Sequence, residues 1–268
     1  MDYDVDRVVD EMREAATCYL RPRFRALATE DIWEKSPGEV VTVADQECEK
    51  ALSDRLCAAV PGSVVIGEEA AAEDLSLLLH LSGEQPVWLL DPLDGTGAFA
   101  SGSPDYGLMA ALVVNSETVL AIIHQPEHSR TFVAEHGAGA YETESGERVA
   151  VRRSSSSLHG AVMKRFLPAD IRVVIEHNEH RFATLEPQAT AASIEYPPAL
   201  AKGDGDFMLY WRTLPWDHAP GALLLSEAGG VVARLDGAAY DPTDRREGLL
   251  AAGSPEALRE AKAALGLG

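Results

Sequence analysis

The sequence predicts an α/β fold in which helices pack on β-sheets. The chain has 268 residues, of which 46% are hydrophobic, and this is enough for one large domain or two modest ones with a packed core. Short apolar runs bounded by turn residues alternate with segments whose apolar residues recur at helical spacing. This alternation, in a chain with no internal repeat, favours a layered α/β architecture.

The net charge limits the binding partners that we expect, and the cysteine content indicates the cellular compartment. A formal net charge of -20 argues against a nucleic acid or an anionic membrane as partner. Three cysteines, without a C-x-x-C pair, indicate a reducing compartment and no disulfide framework. The acidic N-terminus does not resemble a signal peptide, and no apolar run approaches the roughly 20 residues of a membrane helix. We therefore expect a soluble, cytoplasmic protein.

The sequence pattern of the N-terminal region predicts two helices and a short strand. Apolar spacing indicates a helix over residues 5–27, which Pro22 can interrupt. A loop is expected around residues 35–38. A second helical pattern opens at Asp45 and ends before the Pro-Gly pair at residues 61–62. A short strand follows at residues 64–66.

The remaining elements alternate in the same way, and a serine run at residues 154–157 is the best candidate for a boundary between residues 1–153 and 154–268. Strands are predicted at residues 87–90, 107–114, 119–124, 130–134, 171–175, 231–235 and 249–252, with a glycine-marked hairpin at 137–141. Helices are predicted at residues 218–228, ended by a Gly-Gly pair, and at 255–265.

The segment WLLDPLDGTGAFASG, residues 88–102, carries the most chemical information. Asp91 and Asp94 lie at the end of an apolar strand, where ligands of α/β sheets usually bind. Two close carboxylates repel each other unless a proton or a cation lies between them, and Mg²⁺ prefers such oxygen ligands. Gly95 and Thr96 offer backbone N–H groups to an anion. The segment predicts a metal-assisted phosphate site, although the same residues also suit an ordinary surface turn.

Four further segments carry polar groups beside predicted elements. They are Lys35 in a loop, Thr-Val-Ala-Asp at residues 42–45, Gly-Glu-Glu at 67–69 and Trp-Asp at 216–217. Taken singly, each has a plain structural explanation as a helix cap or a solvated charge. In order, and together with residues 91–96 and 227–230, they closely resemble the inositol monophosphatase family over nearly the whole chain.

This resemblance implies a layered α/β/α/β/α sandwich of the sugar phosphatase type and Mg²⁺-dependent hydrolysis of a phosphate monoester. Two or three Mg²⁺ ions would occupy each active site. The implied metal ligands are Glu68, Asp91 and the Leu93 carbonyl for one ion, and Asp91, Asp94 and Asp217 for the second, with Glu68 near a third. Gly95 and Thr96 would bind the phosphate, and Thr96 with Asp45 would orient the attacking water. The resemblance also implies a homodimer.

The chain departs from the family pattern where the substrate is held. Gly97 and Ala98 replace two polar residues of the family, so the phosphate relies more on backbone N–H groups or is held differently. Tyr210 stands where inositol-hydrolysing members carry a glutamate. Glu195 and Arg212, together with Lys35 and Tyr210, are candidates for contacting the substrate, and Glu195 and Arg212 are equally suited to structural ion pairs.

The resulting hypothesis is a phosphatase for a small phosphorylated polyol or sugar, with inositol monophosphate as the default substrate. Fructose 1,6-bisphosphate, a 3′(2′),5′-bisphosphate nucleotide and histidinol phosphate are alternatives handled by relatives with the same metal core. An alternative of another class is a regulatory protein that binds metal or phosphate without turnover. The presence of every implied metal ligand argues against that alternative.

Overall fold

The computed structural model describes residues 3–36, 38–151, 158–186, 191–194, 196 and 206–267. The helices are α1 (Val5–Ala15), α2 (Val43–Ala59), α3 (Glu68–Glu73), α4 (Thr96–Ala100), α5 (Ala169–Asn178), α6 (Pro215–Glu227) and α7 (Pro255–Leu265). The strands are β1 (Ile32–Ser36), β2 (Glu39–Thr42), β3 (Val64–Gly67), β4 (Val87–Asp94), β5 (Gly107–Val114), β6 (Glu117–Gln125), β7 (Arg130–Glu135), β8 (Gly139–Glu142), β9 (Arg148–Val149), β10 (His159–Val162), β11 (Thr184–Glu186), β12 (Phe207–Tyr210), β13 (Val231–Arg234) and β14 (Leu249–Ala252).

In the described part of the chain, these strands form two large sheets and one hairpin. Seven strands pair in the order β3-β4-β5-β6-β7-β8-β9, and five pair in the order β11-β10-β12-β14-β13. Strands β3 and β4 run parallel, whereas the other neighbours in the larger sheet are antiparallel. Strands β1 and β2 form a separate antiparallel hairpin.

The sheets and helices stack in five layers, which confirms the predicted α/β/α/β/α sandwich. Alternate residues of β5 show why: Leu108 and Ala110 pack with α1 and α2 on one face, and Met109 packs with α6 on the other. A strand buried on both faces reads as a continuous apolar run. Helix α6 lies between the two sheets and is apolar on nearly all sides, as a fully enclosed helix must be. Helices α5 and α7 cover the outer face of the smaller sheet.

Three local expectations were wrong. The first helix ends at Ala15 and continues only as a π-helical turn over Ala16–Leu20, before Pro22. Lys35 lies in strand β1 rather than in a loop, because residues 32–42 form a hairpin. Residues 171–175 are helical: Ile171 and Ile175, one turn apart, pack in the same core cluster of the smaller sheet, while Val173 faces solvent. This burial outweighs the strand propensity of a β-branched run.

The proposed boundary between residues 153 and 154 falls within 152–157, outside the described residues, and stays a prediction. All three cysteines are free thiols. None of the helices in the described ranges combines the length and the apolar character that crossing a bilayer requires.

Candidate active site

Two aspartates lie in the C-terminal part of strand β4, at one end of the larger sheet. Asp91 pairs with Met109 and Asp94 pairs with Gly107, so β4 carries one more residue than β5 between these two pairs. In a regular strand, residues three apart point to opposite faces. The extra residue is a β-bulge, which changes the direction of the side chains that follow it. Both aspartates therefore line the same cavity.

Three carboxylates from different elements meet in this cavity. Glu68 begins α3, Asp91 ends the apolar part of β4, and Asp217 lies in the first turn of α6. One oxygen from each lies within 4.8 Å of the other two. This arrangement brings together residues 149 positions apart along the chain, from Glu68 to Asp217.

The carboxylate cluster is electrostatically unfavourable without a cation. Burial, followed by repulsion from Glu68, Asp94 and Asp217, raises the pKa of Asp91 well above its ordinary value. Burial and the charges of Glu68 and Asp94 raise the pKa of Asp217 in the same way. The donors are all carboxylate oxygens, which hard divalent cations prefer, so the residues present fit a metal site.

Asp94 lines the cavity but bonds to a different partner. Its Oδ2 accepts a hydrogen bond of 2.6 Å from the backbone N–H of Ser193. Gln125, which is buried at the end of β6, donates to the Ser193 carbonyl oxygen at 2.7 Å and so ties this segment to the larger sheet. Burial raises the pKa of Asp94 to about 6, although the bond from Ser193 opposes the shift.

Asp45 and Thr96 form a second polar pair beside the cluster. Asp45 lies in the first turn of α2, where its Oδ2 accepts bonds from the backbone N–H and the hydroxyl of Thr42, in a capping box. The Thr96 hydroxyl lies 2.9 Å from Asp45 Oδ1 and 2.9 Å from the Leu93 carbonyl oxygen. Burial raises the pKa of Asp45 to about 7, against the lowering effect of its bonds from Thr42 and Thr96.

Lys35 reaches the cluster from the β1–β2 hairpin. Its ammonium donates to Glu68 Oε1 at 2.9 Å and to Glu69 Oε1 at 2.6 Å. Burial alone would lower the pKa of Lys35, but the two carboxylates outweigh it and raise that pKa above its ordinary value. Lys35 therefore stays charged and balances part of the acidic cluster.

The turn after β4 provides an open backbone surface. Gly95 has a φ of 86°, and a Cβ there would lie 3.0 Å from the Asp105 carbonyl oxygen, so glycine is required. Helix α4 starts at Thr96, and a Cβ built at Gly97 would meet no atom within 4 Å. The first turn of α4 lines a cavity of about 460 Å³, a size typical of small-molecule sites.

The far wall of the cavity is built from aromatic rings and arginines. Arg212 forms an ion pair with Glu39, and its guanidinium carbon lies 4.0 Å from the Phe166 ring centroid. Arg165 contacts the same ring at 4.8 Å and donates to the Gly38 carbonyl oxygen. These contacts join the β1–β2 hairpin to the segments that follow β10 and β12.

Tyr210 lies at the base of this wall and is only 2% exposed. Its ring stacks on Tyr196, with centroids 5.5 Å apart, and lies 4.7 Å from the His218 ring. His218 contacts the Tyr196 hydroxyl and the Arg212 carbonyl oxygen, a structural position. Tyr210 thus lines the cavity as part of a packed aromatic group, and its contact with substrate stays a prediction.

The structure brings the expected ligands and phosphate-binding residues to one cavity, whereas Glu195 lies outside the described residues. Sequence reasoning missed Glu39, Arg165 and Phe166, which no motif marks. It also missed Glu49, a buried carboxylate four residues after Asp45 on α2. That spacing places Glu49 on the same helix face as Asp45 and could have indicated it.

Comparisons with known proteins agree with this geometry. The model of the inositol monophosphatase family matches residues 4–265. A fructose-1,6-bisphosphatase/inositol-1-monophosphatase of Thermotoga maritima is 32% identical over 208 residues, covering 76% of this chain and 75% of that protein. An inositol-1-monophosphatase of Bacillus subtilis is 26% identical over 243 residues, 87% of this chain and 86% of the relative.

A solved structure of a Thermotoga maritima IMPase superposes with a TM-score of 0.77 at 25% identity, covering 98% of this chain and 100% of that one. The extragenic suppressor protein suhB of Bartonella henselae gives 0.78 at 24% identity, with 96% and 98% covered; this match shows the fold. Members of the matched family are metal-dependent phosphatases, and the acidic cluster suits such chemistry. The chain therefore belongs to the inositol monophosphatase family and is a phosphoric monoester hydrolase.

Proposed function

We propose that this protein hydrolyses a small phosphate monoester in a Mg²⁺-dependent reaction, with inositol monophosphate or a related polyol or sugar phosphate as substrate. The observation that carries the proposal is the cluster of Glu68, Asp91 and Asp217 beside the Thr96 turn. Phosphate monoesters hydrolyse extremely slowly without a catalyst. A site for them must therefore neutralise charge and position a water molecule.

The acidic residues would hold the metal. Glu68, Asp91 and Asp217 supply oxygens within 4.8 Å of one another, and Asp94 and the Leu93 carbonyl complete the set that the family resemblance implies for two or three Mg²⁺ ions. Bound Mg²⁺ would neutralise phosphoryl charge and make a bound water more acidic. No cysteine or histidine nucleophile is needed for this chemistry.

The Thr96–Asp45 pair would orient the attacking water. A hydroxyl has one proton, yet the Thr96 oxygen lies within bonding distance of both Asp45 and the Leu93 carbonyl oxygen. When Thr96 donates to one acceptor, its lone pairs can accept a bond from water. Because the pKa of Asp45 is raised to about 7, this carboxyl is suited to take up a proton near neutral pH.

The phosphate would bind at the first turn of α4. The initial N–H groups of a helix have no acceptor within the helix, and such groups bind anions. Gly97 and Ala98 leave this turn without bulky side chains, and space remains open above Gly97. This arrangement supports binding through backbone N–H groups in place of the polar side chains of the family.

A sugar bisphosphate is the second candidate substrate, and the arginines of the far wall favour it. Arg165 and Arg212 line the cavity, and guanidinium groups bind phosphate well. Tyr210 replaces the glutamate that would contact a vicinal diol. A substrate with a second phosphate would suit this wall better than an uncharged polyol ring.

Phosphate release from a panel of esters tests the proposal. The panel contains inositol 1-phosphate, fructose 1,6-bisphosphate, adenosine 3′,5′-bisphosphate and histidinol phosphate, each with and without Mg²⁺. We expect Mg²⁺-dependent turnover of one compound well above the others. An Arg165→Met variant that loses only bisphosphate turnover would assign the second candidate.

The isosteric substitution Asp94→Asn tests the metal site. The substitution removes a carboxylate charge from the cavity without changing side-chain size, so hydrolysis should be abolished while the fold is retained. Asp54→Asn, at an exposed position of α2, serves as the control and should keep full activity. Hydrolysis by Asp94→Asn within a few-fold of the parent would show that Asp94 is not a metal ligand.

We also propose a homodimer located in the cytoplasm. The family resemblance supports the dimer, and the free thiols are consistent with a reducing compartment. Light scattering coupled to gel filtration would measure the assembly directly, and a mass of one chain would contradict it.

A further inference from the structure

Glu49 is a buried carboxylate that the proposed chemistry does not use. It lies on α2, one turn after Asp45, and is 6% exposed. A buried carboxylate is costly unless it is hydrogen-bonded. Its partners therefore indicate why it is present.

Both oxygens of Glu49 bind the start of α3. Oε2 accepts the backbone N–H of Glu69 at 2.8 Å, and Oε1 accepts the N–H of Ala70 at 2.8 Å. The residue before α3, Gly67, provides no side-chain cap. Glu49 thus caps this helix from a distant part of the chain.

The contact is too close for any side chain at Gly67. A Cβ built there would lie 2.2 Å from Glu49 Cδ and 2.4 Å from Oε2. The carboxylate of Glu49 therefore lies directly against the backbone that connects β3 to α3. Movement of Glu49 would move this connection with it.

Helix α3 cannot set its own position. It spans six residues, Glu68–Glu73, whereas isolated helices shorter than about 12 residues are marginal in water. Its first residue is Glu68, whose oxygen belongs to the carboxylate cluster. Lys35 contacts the Glu68 side chain, while Glu49 contacts the backbone that carries it.

We propose that Glu49 is a positioning residue, which anchors the first turn of α3 so that Glu68 is held in place for cation binding. This inference rests on the proposed metal-dependent function. Residues that orient metal ligands typically change metal affinity by about 10- to 100-fold when they are replaced. The alternative is that Glu49 only stabilises the fold.

Calorimetric titration with Mg²⁺ separates the two roles. Glu49→Gln keeps the size of the side chain but leaves one acceptor oxygen for two N–H donors. We expect the Kd for Mg²⁺ to rise about tenfold, and kcat at saturating Mg²⁺ to return close to the parent value. A purely structural role would lower the Tm without changing the Kd for Mg²⁺.

Gly67→Ala tests the same contact from the other side, because the added methyl group would displace the Glu49 carboxylate. It should reproduce the weaker Mg²⁺ binding, and it keeps the inference testable if Glu49→Gln does not fold. Ser254→Ala is the control. Ser254 caps α7 through the Ala257 N–H, so this variant should lose stability and keep its Mg²⁺ affinity.

The outcomes are distinguishable. If the parent protein binds no Mg²⁺, the proposed function itself fails. If the parent binds Mg²⁺ and the two variants at the Glu49 contact bind it equally well, the positioning role is overturned. Weaker binding in Ser254→Ala as well would also overturn it, because the effect would then come from general loss of stability.

Discussion

At the scale of single residues, Thr96 is the most sharply defined group in the site. Its hydroxyl joins α2, through Asp45, to the end of β4, through Leu93. Neither neighbour can be moved without changing the direction in which the hydroxyl lone pairs point. The side chain is therefore both a structural link and the proposed contact for the attacking water.

Thr96→Val should reduce kcat by about 100-fold, the lower end of what a positioned proton-transfer group contributes. Valine keeps the shape of threonine but removes the hydroxyl, so Asp45 also loses one hydrogen-bond donor. Steady-state phosphate release at saturating Mg²⁺ measures the effect. Ser101→Ala is the control, because Ser101 lines the same cavity and its hydroxyl donates to the Ala98 carbonyl oxygen, away from Asp45 and Leu93. Equal kcat in the parent and Thr96→Val would contradict the assigned role.

Residues differ in how far the sequence alone predicted them. Asp91, Asp94 and Asp217 were predictable because the first two lie where an apolar strand ends, the third lies where a helix begins, and they occur in a recognisable order. Glu39 and Phe166 were not, because both act through Arg212, which lies 173 and 46 residues further along the chain, and neither belongs to a motif. The helix at residues 169–178 was missed because burial of one face outweighs the strand propensity of its β-branched residues.

At the scale of elements, the β1–β2 hairpin forms one wall of the cavity, and three of its residues bind side chains of other segments. Lys35 binds the acidic residues of α3, Gly38 accepts a bond from Arg165, and Glu39 pairs with Arg212. The hairpin pairs with neither large sheet. These side-chain contacts therefore contribute to its position.

Breaking the Glu39–Arg212 pair should loosen the hairpin and weaken substrate binding. We expect Glu39→Gln and Arg212→Met each to raise KM by about three- to tenfold with little change in kcat, as suits a partly exposed ion pair. The double variant should be no worse than either single one, because both remove the same interaction.

Arg259→Met, which removes an exposed ion pair on α7, should leave KM unchanged. If Arg212→Met still raises KM in the Glu39→Gln background, the ion pair does not account for the effect, and Arg212 contacts the substrate directly, as the sugar bisphosphate candidate requires.

At the scale of the whole molecule, the buried carboxylates couple folding to pH and to metal. The raised pKa values of Asp91, Asp94 and Asp217 mean that the folded protein without metal binds protons that the unfolded chain releases. Their contribution to stability is therefore present below the ordinary carboxyl pKa of about 4 and is lost as the pH rises through the raised values. A divalent cation bound there would replace those protons and remove the penalty.

The Tm of the metal-free protein should fall between pH 6.5 and pH 8, because burial also raises the pKa values of Asp45 and Glu49 to about 7. Saturating Mg²⁺ should raise the Tm more at pH 8 than at pH 6.5. The range from pH 6.5 to pH 8 lies above the range in which titration of His124 and His218 changes the stability of the fold. Burial lowers the pKa of each to about 4, so their contribution is lost only as the pH falls below about 6.5.

Scanning fluorimetry at the two pH values, with and without Mg²⁺, measures these shifts. Asp217→Asn should show a smaller pH dependence without metal and a smaller response to Mg²⁺. A Mg²⁺ response that is the same at both pH values would contradict the coupling between metal and protons.

The carboxylate cluster is completed only late in the synthesis of the chain. Glu68 and Asp91 leave the ribosome long before Asp217, and α6, which carries Asp217, packs between the two sheets. A nascent or truncated chain that lacks α6 lacks one of the three clustered carboxylates. If these carboxylates hold the metal as proposed, we expect hydrolytic activity only in chains long enough to include α6.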